Sequence, residues 1–157
     1  MTQLSVVGPT GGEVIALGPI HMRILEDGRT TDHRLGIGEI TLAPHTEGPL
    51  QHRHARHDEG FYVVAGTARF IVGDTPYDAP SGTLVMVPPG VPHTFANPSD
   101  QVVVILNTFT PDLYVQYFRD LRDMIASGRP LTAEASAQVM GRYATRPATD
   151  VAEHEPE

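Results

Sequence analysis

The sequence predicts an all-β domain followed by two short helices. Short β-prone runs separated by turn residues fill the chain from Val14 to about Thr110. The 157 residues include 15 Gly and 14 Pro but no Trp, a composition typical of a chain with many turns. After Thr110 the apolar residues change to a helical spacing. Together these observations favour a β body with a helical C-terminal part.

The strands are predicted in order along the first part of the chain. The β-prone runs are 14–17, 21–25, 34–42, 51–54, 60–65, 68–72, 83–87 and 101–108. In the run 34–42 the apolar residues change parity, so we expect a β-bulge near Gly38. The run 101–108 is long and rich in β-branched residues, which is typical of a strand buried on both faces.

Two helices are predicted after the last strand. Thr110 is suited to cap the first helix, and Pro111 suits its first position. This helix is expected over about 112–127, and the second over about 132–143. The apolar residues of the first helix form one stripe: Tyr114, Phe118, Leu121 and Ile125.

Composition argues against several classes of function. The chain has 19 acidic and 11 basic residues and no basic patch, so neither nucleic acid nor an anionic membrane surface is an expected partner. Without cysteine there are no disulfides, thiolate metal sites or Cys nucleophile. The first residues lack the pattern of a signal peptide, and no apolar run approaches the roughly 20 residues of a membrane span. We therefore expect a cytoplasmic protein.

Four side chains form a candidate metal site. His52 and His54 are two residues apart, so on a strand both point to the same face. A turn through residues 55–58 would bring Glu59 back beside them, and His93 follows a proline-rich corner as the fourth candidate. Imidazoles with one carboxylate suit one divalent transition metal, Fe, Mn, Ni, Co, Cu or Zn. The sequence does not choose among these metals.

The spacing of these residues resembles the two motifs of the cupin superfamily. The first motif is present as His52-x-His54, four residues, Glu59, six residues, Gly66. The second is present as Gly82, five residues, Pro88-x-Gly90, two residues, His93, three residues, Asn97. One departure is the leading glycine of the first motif, because Gly48 precedes His52 by four positions where the family usually has six.

The resemblance implies a fold and a domain organisation. The cupin fold is a double-stranded β-helix, a jelly-roll-like barrel that holds its metal in the mouth. Residues 1–110 would form this barrel, 111–146 a helical flank of the same domain, and 147–157 a disordered tail. The implied metal ligands are His52, His54, Glu59 and His93. A homodimer is also expected, because two-fold assemblies are the commonest oligomers.

A looser likeness narrows the expected reaction. The stretch 58–64 and the ending at 141–143 resemble the small bacterial quercetin 2,3-dioxygenase-like cupins. This likeness implies a dioxygenase that acts, with dioxygen, on a small aromatic or enolisable substrate, flavonol-like or polyketide-like. Two alternatives stay open: a metal-assisted isomerase, cyclase or lyase of a biosynthetic pathway, and a non-catalytic cupin that binds a small molecule.

Glu59 has two expected roles, metal ligand and catalytic general base. A neighbouring cation would lower its pKa, whereas an apolar, desolvated mouth would raise it, and the sequence does not decide between them. We expect Glu59→Gln to retain the fold but lose turnover.

Parity predicts where several other side chains point. Phe61, Met86 and Phe95 share the inward parity and are candidates for a substrate pocket, although plain core packing fits them equally well. His57 has the opposite parity to His54, so we expect it to point outward or to lie behind the ligands. His45 lies in the loop before the first motif, where a structural role is expected.

Overall fold

The computed structural model describes residues 4–148, and in this range two β-sheets are followed by a helical segment. The strands are β1 (Glu13–Leu17), β2 (Ile20–Glu26), β3 (Gly36–Leu42), β4 (His52–His54), β5 (Asp58–Ala65), β6 (Thr67–Val72), β7 (Thr75–Pro80), β8 (Leu84–Val87), β9 (His93–Ala96), β10 (Val103–Thr110) and β11 (Thr145–Pro147). A short 3₁₀ helix, Asp112–Tyr114, leads into α1 (Val115–Ala126), which is followed by α2 (Ala133–Gly141).

The two sheets are antiparallel and face each other across the core. The six-stranded sheet has the order β1-β2-β3-β10-β5-β8, and the five-stranded sheet has the order β11-β4-β9-β6-β7. Large apolar side chains from both sheets fill the space between them, among them Ile40, Phe61, Phe70 and Ile105. The all-β barrel with two C-terminal helices is therefore confirmed.

Two predictions about the strands are wrong, and two strands were missed. In β3 the buried residues alternate regularly from Gly36 to Leu42, and the irregularity lies in the partner strand β2, between Ile24 and Glu26. Strand β10 alternates between buried and partly exposed residues because only one of its faces meets the core. Strands β7 and β11 were not predicted, since neither is a run of β-prone residues.

The helical segment differs in detail from its prediction. Thr110 belongs to β10, and no side chain in the described residues caps the 3₁₀ helix. Tyr114 and Leu121 are buried as expected, but Ile125 is 39 % exposed. The buried face of α1 instead includes Val115, Tyr117 and Met124. Neither helix in the range 4–148 is long and apolar enough to cross a membrane.

Strand β11 brings the end of the described chain back to the barrel. It pairs with β4, and Thr145 lies opposite His54 while Pro147 lies opposite His52. Pro147 is thus part of a sheet rather than the first residue of a disordered tail. Residues 149–157, the rest of the predicted tail, lie outside the described residues.

Candidate metal centre

Both sheets contribute to the candidate metal centre. Strand β4 presents His52 and His54 on its inner face, and His93 at the start of β9 pairs directly with His52. Glu59 comes from β5 in the opposite sheet. The inward alternation of these strands therefore directs all four side chains into the barrel interior.

The four side chains converge closely. One potential ligand atom from each residue lies within 4.8 Å of the others. Nε2 of His54 is 2.8 Å and Nε2 of His93 is 2.9 Å from the same carboxylate oxygen, Oε2 of Glu59. The imidazole rings of His52 and His93 are 4.6 Å apart between centroids. Each of the four residues is no more than 3 % exposed, so the site is enclosed.

The far side of each imidazole is held by a hydrogen-bonding partner. Nδ1 of His52 lies 2.7 Å from the Leu50 carbonyl oxygen, and Nδ1 of His93 lies 2.9 Å from the Val91 carbonyl oxygen. Nδ1 of His54 lies 2.7 Å from the hydroxyl of Thr145. Such contacts orient the rings of metal-binding histidines, and here they leave all three Nε2 atoms turned toward the centre.

The electrostatics of the site favour a carboxylate and a neutral imidazole. Burial alone would raise the pKa of Glu59, but hydrogen bonds from His54 and His93 outweigh it and hold that pKa well below its usual value. Burial lowers the pKa of His52 to about 3, and the neighbouring His93 adds to this effect. Burial acts to lower the pKa of His93 as well, yet its hydrogen bond with Glu59 raises it overall.

Asn107 is a member of the site that sequence reasoning missed. Its amide nitrogen donates to Oε1 of Glu59 at 3.1 Å and to the Gly60 carbonyl at 2.9 Å. Its own Oδ1 has no partner in the described part of the chain. The sequence did contain a signal for this residue. Asn107 lies two residues from both Ile105 and Phe109, so it is a polar residue on the face of β10 that points into the core.

Two further polar side chains pack against the ligands. His57 is buried, and its ring centroid is 4.0 Å from that of His54, so it lies behind a ligand and does not point outward. The ring of Tyr114 is 4.5 Å from that of His54 and roughly parallel to that of His52. Within residues 4–148 neither the Tyr114 hydroxyl nor either ring nitrogen of His57 has a hydrogen-bond partner. The sequence pattern places Tyr114 only in the apolar stripe of the first helix.

The three predicted pocket residues have different positions. Phe61 is fully buried and packs against Phe70, with its ring centroid 6.1 Å from that of His93. Phe95 lines an apolar cavity of about 180 Å³ between the barrel and the helices. Met86 is 55 % exposed, because it pairs with Gly60 and therefore faces outward, as every second residue of β8 does. The prediction of Met86 as a pocket residue is wrong.

The 180 Å³ cavity lies at the helical end of the barrel. Its walls come from both sheets and from α1 and α2, and they include Met22, Ile40, Phe95, Tyr117, Leu121 and Met140. Tyr117 stacks on Tyr114 with a ring distance of 4.4 Å, and Tyr114 in turn contacts the ring of His54. The stacked pair of Tyr117 and Tyr114 thus separates the cavity from His54. His45, by contrast, is exposed and pairs with Asp100, away from the site.

The donor set fits a divalent transition metal. Three imidazoles and one carboxylate are ligands that Fe, Mn, Co, Ni, Cu and Zn all accept. The low pKa of Glu59 keeps its carboxylate anionic, and the Nδ1 contacts leave ring nitrogens free to face an ion. Buried carboxylates are costly unless they are paired or bind a metal, and this cluster meets that requirement.

Comparisons with known proteins agree with the fold. Residues 38–109, which include all four candidate ligands, match the family model of the cupin domain. None of the curated proteins matches the chain.

Several solved structures share the fold. An RmlC-like cupin from Shewanella frigidimarina is 25% identical, with 71% of this chain and 95% of that one covered and a TM-score of 0.58. The polyketide cyclase RemF from Streptomyces resistomycificus is 19% identical, with 69% and 80% covered and a TM-score of 0.61.

A sugar phosphate isomerase of the cupin superfamily from Silicibacter pomeroyi is 22% identical, with a TM-score of 0.52. The match covers 59% of each chain, so less than two thirds of that protein's length is represented. The family match and these shared folds agree with the barrel described above. The chain therefore has a cupin-like fold, and its residues 38–109 match the cupin domain family.

Proposed function

We propose that this protein is a metal-dependent enzyme whose divalent ion is held by His52, His54, Glu59 and His93. The observation that carries the proposal is the enclosed cluster itself, in which one donor atom from each residue lies within 4.8 Å of the others. When bound, such an ion supplies Lewis-acid chemistry, polarising a substrate oxygen and lowering the pKa of a hydroxyl attached to it.

The geometry favours Glu59 as a ligand over Glu59 as a general base. A base must take up a proton, and a carboxyl group whose pKa lies well below its usual value does so poorly. Asn107 donates to Oε1 of the same carboxylate, which stabilises the anion further. We therefore propose that Glu59 stays ionised through the reaction and that its main contribution is to hold the ion.

The surroundings of the site support a small, largely apolar substrate. The adjacent cavity of about 180 Å³ is lined mainly by aliphatic and aromatic side chains. A cavity of roughly 150 Å³ holds one benzene-sized molecule, so this one suits a single ring more readily than a three-ring flavonol. Because the ligands are buried and Tyr114 packs against His54, we propose that substrate reaches them when the 3₁₀ segment moves aside.

Two reaction classes fit this proposal. A dioxygenase is the class predicted by the quercetinase-like stretch of the sequence. A metal-assisted isomerisation, cyclisation or elimination is the second candidate, and it is supported by the names of two proteins with the same fold, an isomerase and a cyclase. A non-catalytic binding cupin is less well supported, because a complete set of metal ligands beside an apolar cavity exceeds what simple binding requires.

Metal content tests the proposal directly. The wild-type chain and three variants, His93→Ala, Glu59→Gln and His45→Ala, would be purified identically and analysed for transition metals. We expect close to one ion per chain in the wild type and in His45→Ala, whose exposed imidazole lies outside the site. The two site variants are expected to lose most of the metal. Full metal content in His93→Ala would contradict the proposed ligand set.

Oxygen consumption separates the two reaction classes. The metal-loaded protein would be screened with monocyclic phenols, enolisable ketones and flavonols in an oxygen-electrode cell. Substrate-dependent oxygen uptake that is lost in His93→Ala supports a dioxygenase. Product formation at an unchanged rate under anaerobic conditions supports the isomerase, cyclase or lyase class.

The homodimer and the cytoplasmic location stay predictions. Several apolar side chains are exposed on the outer face of the six-stranded sheet: Tyr62, Val64, Leu84 and Met86. Light scattering during size-exclusion chromatography would give the mass of the protein in solution.

A further inference from the structure

We infer that Thr145 is a positioning residue of the metal centre, because it holds His54 in the tautomer that presents Nε2 to the ion. The inference rests on the proposed metal site and extends that site to the C-terminal strand β11. Thr145 lies outside the family match at residues 38–109, and it carries no ligand atom itself.

The direction of two hydrogen bonds carries the argument. The hydroxyl oxygen of Thr145 lies 3.0 Å from the Tyr143 carbonyl oxygen and 2.7 Å from Nδ1 of His54. A carbonyl oxygen only accepts, so the single hydroxyl hydrogen of Thr145 is donated to Tyr143. The oxygen of Thr145 is then left as an acceptor toward His54, and Nδ1 of His54 must carry the hydrogen.

The tautomer determines which ring nitrogen can bind an ion. A neutral imidazole has one N–H, so once an ion replaces the hydrogen that Nε2 shares with Glu59, a hydrogen held on Nδ1 leaves the Nε2 lone pair for that ion. Nε2 of His54 is the nitrogen that lies 2.8 Å from Oε2 of Glu59, at the centre of the site. Both His54 and Thr145 are buried, so water does not readily replace the hydroxyl as an acceptor.

His54 differs from the other two histidines in its dependence on a distant segment. His52 and His93 each contact the carbonyl oxygen two residues earlier in their own chain segment, at Leu50 and Val91. The partner of His54 is 91 positions away in sequence. Only the folding of the C-terminal segment onto the barrel therefore provides it.

The backbone around Thr145 is built to place its hydroxyl. Strand β11 pairs with β4 so that Thr145 stands directly opposite His54. The pairing is extended on both sides, because Ala55 N–H donates to the Ala144 carbonyl and Ala148 N–H donates to the Gln51 carbonyl, each at 2.8 Å. This short strand is thus fixed at both ends, which limits the movement of the hydroxyl relative to the imidazole.

Zinc affinity of matched variants tests the inference. Thr145→Val keeps the shape of the side chain but removes the acceptor, whereas Thr145→Ser retains it. Thr46→Val is the control, since Thr46 is also buried and its hydroxyl has no partner within residues 4–148. In a competition titration with a chromophoric chelator, we expect Thr145→Val to bind Zn²⁺ about 10- to 100-fold more weakly than wild type. Thr145→Ser and Thr46→Val are expected to bind nearly as tightly as wild type.

A second measurement reports the tautomer itself. Nitrogen-15 NMR of the metal-free wild type, labelled at histidine, should show a hydrogen on Nδ1 of His54. The metal-free protein is needed because zinc bound at Nε2 would itself leave the hydrogen on Nδ1. A metal-free His54 without a hydrogen on Nδ1 would overturn the inference even if Thr145→Val does not fold. Wild-type affinity in Thr145→Val, or an equal loss in Thr145→Val and Thr145→Ser, would overturn it while leaving the proposed metal site intact. Failure of the wild type to bind zinc, cobalt, nickel or iron would overturn both.

Discussion

Arg119 joins the helical segment to the barrel, and its removal is a test of how that segment is held. Its guanidinium lies 2.9 Å from a carboxylate oxygen of Glu13 in β1 and 3.0 Å from one of Asp27, just after β2. Its own helix, α1, follows directly from the 3₁₀ turn that places Tyr114 over the candidate ligands. Arg119→Met removes the charge but keeps most of the aliphatic stem.

The size of the effect follows from the Asp27 carboxyl. Burial alone would raise its pKa, but hydrogen bonds from Arg119 and Arg29 lower the pKa from 3.8 to about 2. At about 1.4 kcal/mol per pKa unit, this corresponds to an upper limit of roughly 2.5 kcal/mol. Arg29 supplies part of the stabilisation, and solvent screens a pair in which Arg119 is 22 % exposed. We therefore expect Arg119→Met to lower the free energy of unfolding by about 1–2 kcal/mol at pH 7.

The pH dependence has a definite sign. Because the pKa of Asp27 is lower in the folded state, its stabilisation is complete above the unfolded value of 3.8 and is lost as the pH falls toward about 2. The difference between wild type and Arg119→Met should therefore be full at pH 7 and much smaller near pH 2.5.

Urea unfolding followed by circular dichroism at both pH values measures the difference. Arg69→Met is the matched control, because Arg69 forms an exposed pair with Asp78, and such pairs contribute roughly 0–1 kcal/mol. An equal loss of stability in Arg119→Met at pH 7 and pH 2.5 would refute the reasoning, as would no loss at pH 7.

Two further substitutions test how the site is supported. Gly48→Ala would place a Cβ atom 1.6 Å from the Phe95 carbonyl oxygen, so we expect displacement of β9 and a loss of at least about 2 kcal/mol in the free energy of urea unfolding. Gly8→Ala is the control, because open space surrounds Gly8 and the stability should change little. Equal stability of the two variants would contradict this expectation. Asn107→Ala removes the hydrogen-bond donor to Oε1 of Glu59. We therefore expect zinc affinity, measured by competition with a chelator, to fall about 10- to 100-fold. An unchanged affinity would exclude a supporting role for the Asn107 amide.

The structure explains why a glycine occupies position 48, where the sequence departs from the family motif. The residue sits in a loop, and the lack of a side chain lets that loop lie directly against the backbone of β9 at Phe95. Its position is therefore set by a close approach to the strand that carries His93.

Spacing along single strands was enough to predict much of the fold and the candidate ligands. Residues two apart on a strand share a face whatever surrounds them, so the pair His52 and His54 could be recognised from the sequence, as could most strands. That regularity does not say which face of a strand points into the core. The inward parity assigned to Met86 assumed a register relative to β5 that only the observed pairing with Gly60 supplies.

By itself the sequence determined the all-β class, the order of most strands and which side chains carry metal-binding chemistry, because these depend on residue type and local period. Only the tertiary structure decided which groups support those side chains. Asn107, Tyr114 and Thr145 reach the centre from segments roughly 50 to 90 residues away in the chain, through a cross-sheet contact, a packed turn and a strand added to the sheet edge. Contacts of that kind are set by how the sheets and the helical segment pack, and no local spacing records them.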